Sequence, residues 1–178
     1  MKKVAVLGSG NGSNFQAIVE YFRTSTYSIE FHCVSNKKDA YILERAKNLG
    51  IKSHFVEFKN NRDFLAENNY DLIVLAGYMR ILPSEIVNNH KIINIHPSLL
   101  PKFKGMNSIE EAYNAKVPKT GVTVHYVDEG VDTGAVIEQV EIDIMPDITI
   151  EELEKKVHEA EHKLYPSVIE KILFGGLT

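Results

Sequence analysis

Asn94 and His96 stand two residues apart in "KIINIHPSLLPKFKG", behind an apolar run, so in an extended strand their side chains point the same way. Where such a strand ends, an amide beside an imidazole suits attack on a carbonyl. The amide N–H donates to the developing oxyanion, and the imidazole stabilises it when protonated or passes a proton. Pro97 forces an extended or turning chain directly after the histidine. A third group, Asp132 in "EGVDTGAVI", lies in a turn that opens a strand, and a carboxylate there can orient the His96 ring and favour its charged form. A lone histidine at a strand end is more often structural, bonding a backbone carbonyl; the aspartate is what tips the balance toward chemistry. Ser98 follows too closely to serve as a partner. There is no Gly-x-Ser-x-Gly elbow and no His-Glu-x-x-His pair, so neither a serine hydrolase nor a metal site is expected.

A second chemistry-bearing stretch is "VAVLGSGNGSNFQAI", residues 4–18, an apolar strand running through glycines into a helix. No Lys-Ser or Lys-Thr closes the loop, which excludes a nucleotide-hydrolase loop. A dinucleotide fingerprint needs glycine at positions 8, 10 and 13 and an acid after the second strand. Position 13 is serine, and "HCVSNKK" supplies no acid. What stands is a concave site made by the backbone N–H groups of Gly10, Asn11, Gly12, Ser13 and Asn14 at a helix start, suited to a monophosphate. The Ser13 hydroxyl and the Asn14 amide add donors. The competing reading is a tight turn that needs glycine and holds nothing.

These residues require a scaffold that brings strand ends together. Residues 3–7, 29–34, 51–55, 71–76 and 91–95 read as buried strands, and 14–22, 39–48, 61–67 and 83–89 as helices or helical turns between them. That order predicts right-handed crossovers in a Rossmann-like, doubly wound α/β sheet, mostly parallel. Beyond residue 105, "GVTVHYVDEG" and "GAVIEQVEIDI" alternate with period two across a short Gly- and Asp-containing loop, which predicts an antiparallel pair added to the sheet. From Thr149 onward the pattern is one long helix. Thr149 and Glu152 are spaced as a capping box, and Ile150, Leu153, Val157, Ala160 and Leu164 share a face. Pro166 is expected to kink or interrupt it, and "FGG" to stop it. One domain over residues 1–178 is expected, a phosphate-binding parallel half (1–105) followed by the loop, antiparallel strands and helix (106–178).

The 178 residues carry a net charge of −4, with 44% hydrophobic and 25% charged residues and a single cysteine, Cys33. No basic run follows a polyanion, so a nucleic-acid partner is disfavoured. No disulfide framework or thiolate metal site is possible. The N-terminal apolar run is too short for a signal peptide, and no stretch approaches the length that spans a bilayer, so a soluble cytoplasmic protein without a membrane partner is expected.

"GSGNGSNFQAI", "VLAGYMRIL", "NIHPSLLPKFKG" and "GVTVHYVDEGVDTGAVI" together resemble the folate-dependent formyltransferases, over essentially the whole chain. The Asn-x-His with a distant Asp belongs to that group at large. Within the group, the glycine loop points to members whose acceptor is the amine of glycinamide ribonucleotide. The resemblance implies 10-formyltetrahydrofolate as co-substrate, no metal, and Asn94, His96 and Asp132 as the catalytic trio. It places the substrate 5′-phosphate on Gly10, Asn11, Gly12, Ser13 and Asn14, and the ribose on Glu161. Met79, Arg80, Ile81 and Leu82 would line the pterin pocket, with Asn94 beside it and Arg62 as a further folate contact. Asp128, Glu129, Gly130, Val131 and Asp132 would close over the pterin and formyl group. Where the group carries basic or imidazole side chains near 107–109, this chain reads "NSI", so histidine support there is absent. A monomer or weak homodimer is expected. The alternatives are a sugar-nucleotide N-formyltransferase and a non-catalytic nucleotide-binding domain. A transfer-RNA formyltransferase would need an added basic RNA-binding domain, and a formyltetrahydrofolate hydrolase would have no use for the phosphate loop.

Overall fold

The computed structural model describes residues 1–175. Five parallel strands, β1 (Lys2–Leu7), β2 (Ile29–Ser35), β3 (Lys52–Phe55), β4 (Leu72–Leu75) and β5 (Ile92–His96), are joined by β6 (Lys119–Tyr126) and β7 (Val136–Asp143). They form a seven-stranded sheet in the order β3-β2-β1-β4-β5-β6-β7, with β6 antiparallel to both β5 and β7. The doubly wound sheet with its antiparallel addition is therefore as the sequence predicts. Chain order reverses between β1 and β4, and in open α/β sheets ligands bind outside the carboxyl ends of the strands at such a point.

Alternation along the central strands divides the core in two. Val4 and Val6 of β1, with Leu72 and Val74 of β4, pack on one face beneath α1 (Ser13–Arg23), α2 (Tyr41–Asn48) and α6 (Ile150–Phe174). Ala5 and Leu7, with Ile73 and Leu75, face α3 (Asn61–Asn68) and α4 (Ser84–Asn89). A strand buried on both faces loses its polar alternation, which is why these runs are apolar throughout.

Three expectations are corrected. Residues 51–55 are not a buried strand: β3 is the sheet edge, and Lys52 and Phe55 are exposed. Pro166 does not interrupt α6, which is helical from Ile150 to Phe174. A proline inside a helix costs about 3 kcal/mol, but Leu164, Tyr165, Val168, Ile169 and Ile172 are all buried around it, each contributing roughly 1.5–3 kcal/mol. The sequence reading also left out α5 (Ser108–Asn114), whose seven residues are too few for a periodic signal. The capping box does form: the Glu152 N–H donates to Thr149 Oγ1 and the Thr149 N–H to Glu152 Oε2, both at 3.2 Å. Gly175 caps α6, and the last glycine of "FGG", Gly176, lies outside the described residues.

Buried Tyr165 fastens α6 to the carboxyl end of the sheet, its hydroxyl donating to Leu75 O at 2.6 Å and Ile93 O at 3.3 Å. Cys33 is fully buried in β2, and burial pushes its thiol up to about 12, so it stays an unreactive apolar side chain.

Candidate active site

The loop after β1 begins with Ser9, which ties three strand ends together. Its N–H donates to Gly77 O after β4 at 2.9 Å, and its hydroxyl donates to Asn36 Oδ1 after β2 at 2.6 Å while accepting from Met79 N–H at 2.8 Å. The glycine loop is thereby locked against the segment that carries Met79, Arg80 and Ile81. Gly12 caps α1 at φ 81, a left-handed conformation, and a Cβ there would lie 2.5 Å from Ile42 Cγ1 and 2.9 Å from Ile42 Cα. Glycine is required on both counts. The N–H groups of Ser13 and Asn14 open α1, where no helical carbonyl can accept from them, and they carry the positive end of the helix dipole.

Arg45, on α2, holds this loop from behind. Its guanidinium donates to Asn11 O and Asn11 Oδ1, both at 2.7 Å, and to Gln16 Oε1 at 2.5 Å. The fork fixes the Asn11 peptide and brings a permanent positive charge near the N–H groups that head α1. Arg45→Met is expected to weaken binding of ribose 5-phosphate about tenfold or more, read by titration calorimetry; unchanged affinity would separate Arg45 from the anion site.

Asn14 reaches toward α6, its Nδ2 3.4 Å from Glu161 Oε2. Glu161 is buried, and the same oxygen lies 3.0 Å from His158 Nδ1. The hydrogen bond to Glu161 pushes His158 up from the ordinary imidazole value. The residues assigned to phosphate and to ribose are thus neighbours, although 147 positions separate them.

Beside this loop lies a cleft of about 710 Å³, walled by the 77–81 segment, Asn94, His96, the 105–110 segment, Val131 and Asp132. A recess of about 150 Å³ adjoins it, sharing Tyr78, Arg80, Ile81, Asn94 and Asp132 and reaching Leu82, His125 and the 127–133 loop. Met79, Ile81 and Val131 expose apolar side chains at the rim, and Arg80 stacks on the Phe58 ring with 4.2 Å to the centroid. A recess lined by Leu75, Ile81 and Leu82 together with Arg80, Asn94 and Asp132 offers a fused heterocycle both apolar walls and polar partners.

Asn94, His96 and Asp132 converge where cleft and recess meet. His96 is buried, its Nδ1 3.4 Å from Asp132 Oδ2. Its Nε2 faces Phe103 O at 2.8 Å and Ser108 Oγ at 3.0 Å. A carbonyl can only accept, so Nε2 carries hydrogen and Nδ1 is the nitrogen left for chemistry. Asp132 sits between two imidazoles, with His125 Nε2 3.6 Å from its Oδ1, and accepts from Gly105 N–H at 2.8 Å. Burial pushes its carboxyl up, but the His125 hydrogen bond, the Gly105 N–H and the charges of His96 and His125 outweigh this and hold it below the usual range. Asn94 Nδ2 lies 3.3 Å from His125 Nε2, the two residues facing each other across β5 and β6.

His125 and Ser108 escaped the sequence reading. His125 betrays itself only once the β5/β6 register is known, and Ser108 belongs to the "NSI" that stood out as lacking histidine. Arg62 does not join the cleft: it is exposed on α3 and pairs with Asp63 at 3.1 Å and Glu85 at 3.5 Å. Glu129 points away, accepting from Asn88 Nδ2 at 3.1 Å. Asp128 shapes its own loop, accepting from Gly130 N–H at 2.9 Å and Thr133 Oγ1 at 2.6 Å.

Comparison with known proteins gives one result throughout. The formyl transferase family pattern matches residues 2–169. A phosphoribosylglycinamide formyltransferase of Bacillus subtilis (strain 168) is 43% identical over 186 residues, covering 97% of this chain and 95% of that protein. Among solved structures, a phosphoribosylglycinamide formyltransferase from Streptococcus pneumoniae TIGR4 is 45% identical with a TM-score of 0.88, covering 97% of this chain and 99% of the other. Glycinamide ribonucleotide transformylase 1 from Symbiobacterium toebii reaches a TM-score of 0.93 at 33% identity, covering 100% and 90% respectively.

Proposed function

The chain belongs to the formyl transferase family, and from that membership we propose that it moves the formyl group of 10-formyltetrahydrofolate to the primary amine of glycinamide ribonucleotide, a step of purine biosynthesis. The observation that carries this is the placement of Asn94, His96 and Asp132 in one cleft, with an adjoining recess lined by Asn94 and Asp132 and the glycine loop tied to the 77–81 wall of the cleft through Ser9.

In the proposed reaction the amine nitrogen attacks the formyl carbon, and the carbonyl electron pair moves onto oxygen. Asn94 Nδ2 and the Nδ1–H of a protonated His96 donate to that oxyanion. The proton of the incoming amine passes to the folate nitrogen, and the bond from that nitrogen to carbon breaks, leaving formylated product and tetrahydrofolate. The 3.4 Å separation of His96 Nδ1 from Asp132 exceeds the 2.7–2.9 Å of a tight charge-assisted bond. Nδ1–H therefore keeps donating capacity for the oxyanion while the carboxylate orients the ring. Met79, Arg80, Ile81, Leu82 and the 128–132 loop would hold the pterin, residues 10–14 the phosphate, and Glu161 the ribose. Arg62 would contact the outer part of the folate only by leaving its present ion pairs. Fixing both reactants in one geometry can contribute roughly 7 kcal/mol or more. A cytoplasmic monomer or weak homodimer is part of this proposal. Among the described residues no helix is long and apolar enough to cross a membrane.

The test is a direct assay: purified protein, glycinamide ribonucleotide and 10-formyltetrahydrofolate, with tetrahydrofolate release and product mass both followed. Stoichiometric formylated product is expected. Turnover only with an amino sugar nucleotide would move the acceptor assignment, and substrate binding without turnover would favour a non-catalytic nucleotide-binding domain.

A further inference from the structure

Ser108 is buried at the first position of α5, between the two groups that the proposed reaction depends on. Its hydroxyl hydrogen goes to Gly105 O at 2.9 Å, so the oxygen's lone pairs face His96 Nε2 at 3.0 Å. The same Gly105 gives its N–H to Asp132 Oδ2 at 2.8 Å, and that oxygen in turn faces His96 Nδ1. The contacts close a ring: His96 Nε2 to Ser108, Ser108 to the Gly105 carbonyl, the Gly105 N–H to Asp132, and Asp132 to His96 Nδ1. Each of the other members is held by the chain on which it sits. Only Ser108 links the imidazole to the peptide that positions the carboxylate.

The two loops this ring joins are held in uncommon shapes. Phe103 at φ 52, Asn107 at φ 63 and Asp132 at φ 55 are all left-handed without being glycine. Such conformations persist only where surrounding contacts over-determine them. Phe103 O, the second acceptor for His96 Nε2, comes from one of these residues. Losing the Ser108 hydroxyl would free the Gly105 carbonyl and leave His96 Nε2 held by Phe103 O alone.

We infer that Ser108 is a positioning residue for formyl transfer: its hydroxyl sets the His96 ring and the Asp132 carboxylate in mutual register, the support that a histidine-free 107–109 segment otherwise lacks. This rests on the proposed reaction. The hydroxyl touches no reacting atom, so its loss falls on the chemical step and leaves substrate binding alone.

The test is kinetic and spectroscopic, on the full chain. Ser108→Ala should lower kcat about tenfold or more, with KM for both substrates within about twofold, and Ser108→Thr, which keeps the hydroxyl, should recover most of the loss. In an Asp132→Ala background, where the ring is already open, adding Ser108→Ala should cost less than about twofold further. The His96 ring nitrogen shifts, read by ¹⁵N NMR without substrate, should move in Ser108→Ala. An alanine variant with near-normal kcat overturns the inference, as does strict multiplicativity with Asp132→Ala, or unmoved ring shifts. If the unaltered protein makes no formylated product the reaction assignment fails, while the NMR arm still decides whether Ser108 sets the ring.

Discussion

His96→Ala is expected to lower kcat by roughly two orders of magnitude, on the order of 3 kcal/mol in the barrier, with both KM values nearly unchanged. Asp132→Ala should have an effect of similar kind, because the carboxylate faces the imidazole and accepts from the Gly105 N–H of the catalytic loop. Removing both should cost clearly less than the product of the single losses. At 3.4 Å the carboxylate faces the imidazole directly, and each loses most of its use without the other. Asp132→Asn isolates the electrostatic part. The amide keeps the shape of the carboxylate but removes the charge that faces the ring at 3.4 Å, so the pH profile of kcat should change. The unaltered carboxyl is held below its usual value. Its stabilising contribution is therefore fully present above the unfolded carboxylate range and is lost only as pH falls through the lowered folded value. Asp132 can supply no acid limb near neutrality. Strict multiplicativity of the two losses with an unmoved profile in Asp132→Asn would reduce Asp132 to a turn residue and leave Asn94 and His96 to act alone.

Local patterns carried most of the fold and part of the site. Apolar runs alternating with helical periods are enough to predict the parallel sheet, because a strand covered on both faces and a helix covered on one have different periods. The same patterns say nothing of which strand is at the edge, so residues 51–55 looked buried when β3 is not. Asn94 and His96 were legible because two residues in one strand share a side. His125 was not, since it meets Asn94 only through the antiparallel register of β5 and β6. Ser9 and Arg45 act across chain distances of 68 residues to Gly77 and 34 to Asn11, and spacing along a sequence does not encode such bonds. Ser108 belongs to a seven-residue helix begun by a left-handed Asn107. Its hydroxyl acts through a loop whose shape comes from the contacts themselves.

Replacing Gly12 by valine is expected to be the most selective lesion of substrate binding. At φ 81 a β-branched residue is strained by roughly 1–2 kcal/mol, and its Cβ would stand 2.9 Å from Ile42 Cα, a backbone atom that cannot swing aside. The loop must therefore move away from α2, taking with it the Ser13 and Asn14 N–H groups at the head of α1. Each hydrogen bond to a charged group contributes about 1.5–3 kcal/mol, so misplacing two should lower kcat/KM for glycinamide ribonucleotide by about two to four orders of magnitude, mostly through KM. The folate KM should stay within about twofold, because the recess is built from the 78–82 and 125–133 segments and not from this loop. Gly12→Ala should give a smaller loss of the same selectivity, since it meets the same φ and the same Ile42 contact without branching. The decisive comparison uses an acceptor without its 5′-phosphate, on which the unaltered protein and both variants should converge. Equal damage to folate and acceptor binding, or a loss that persists on the dephosphorylated acceptor, would mean that residues 10–14 hold the fold together without reading the phosphate.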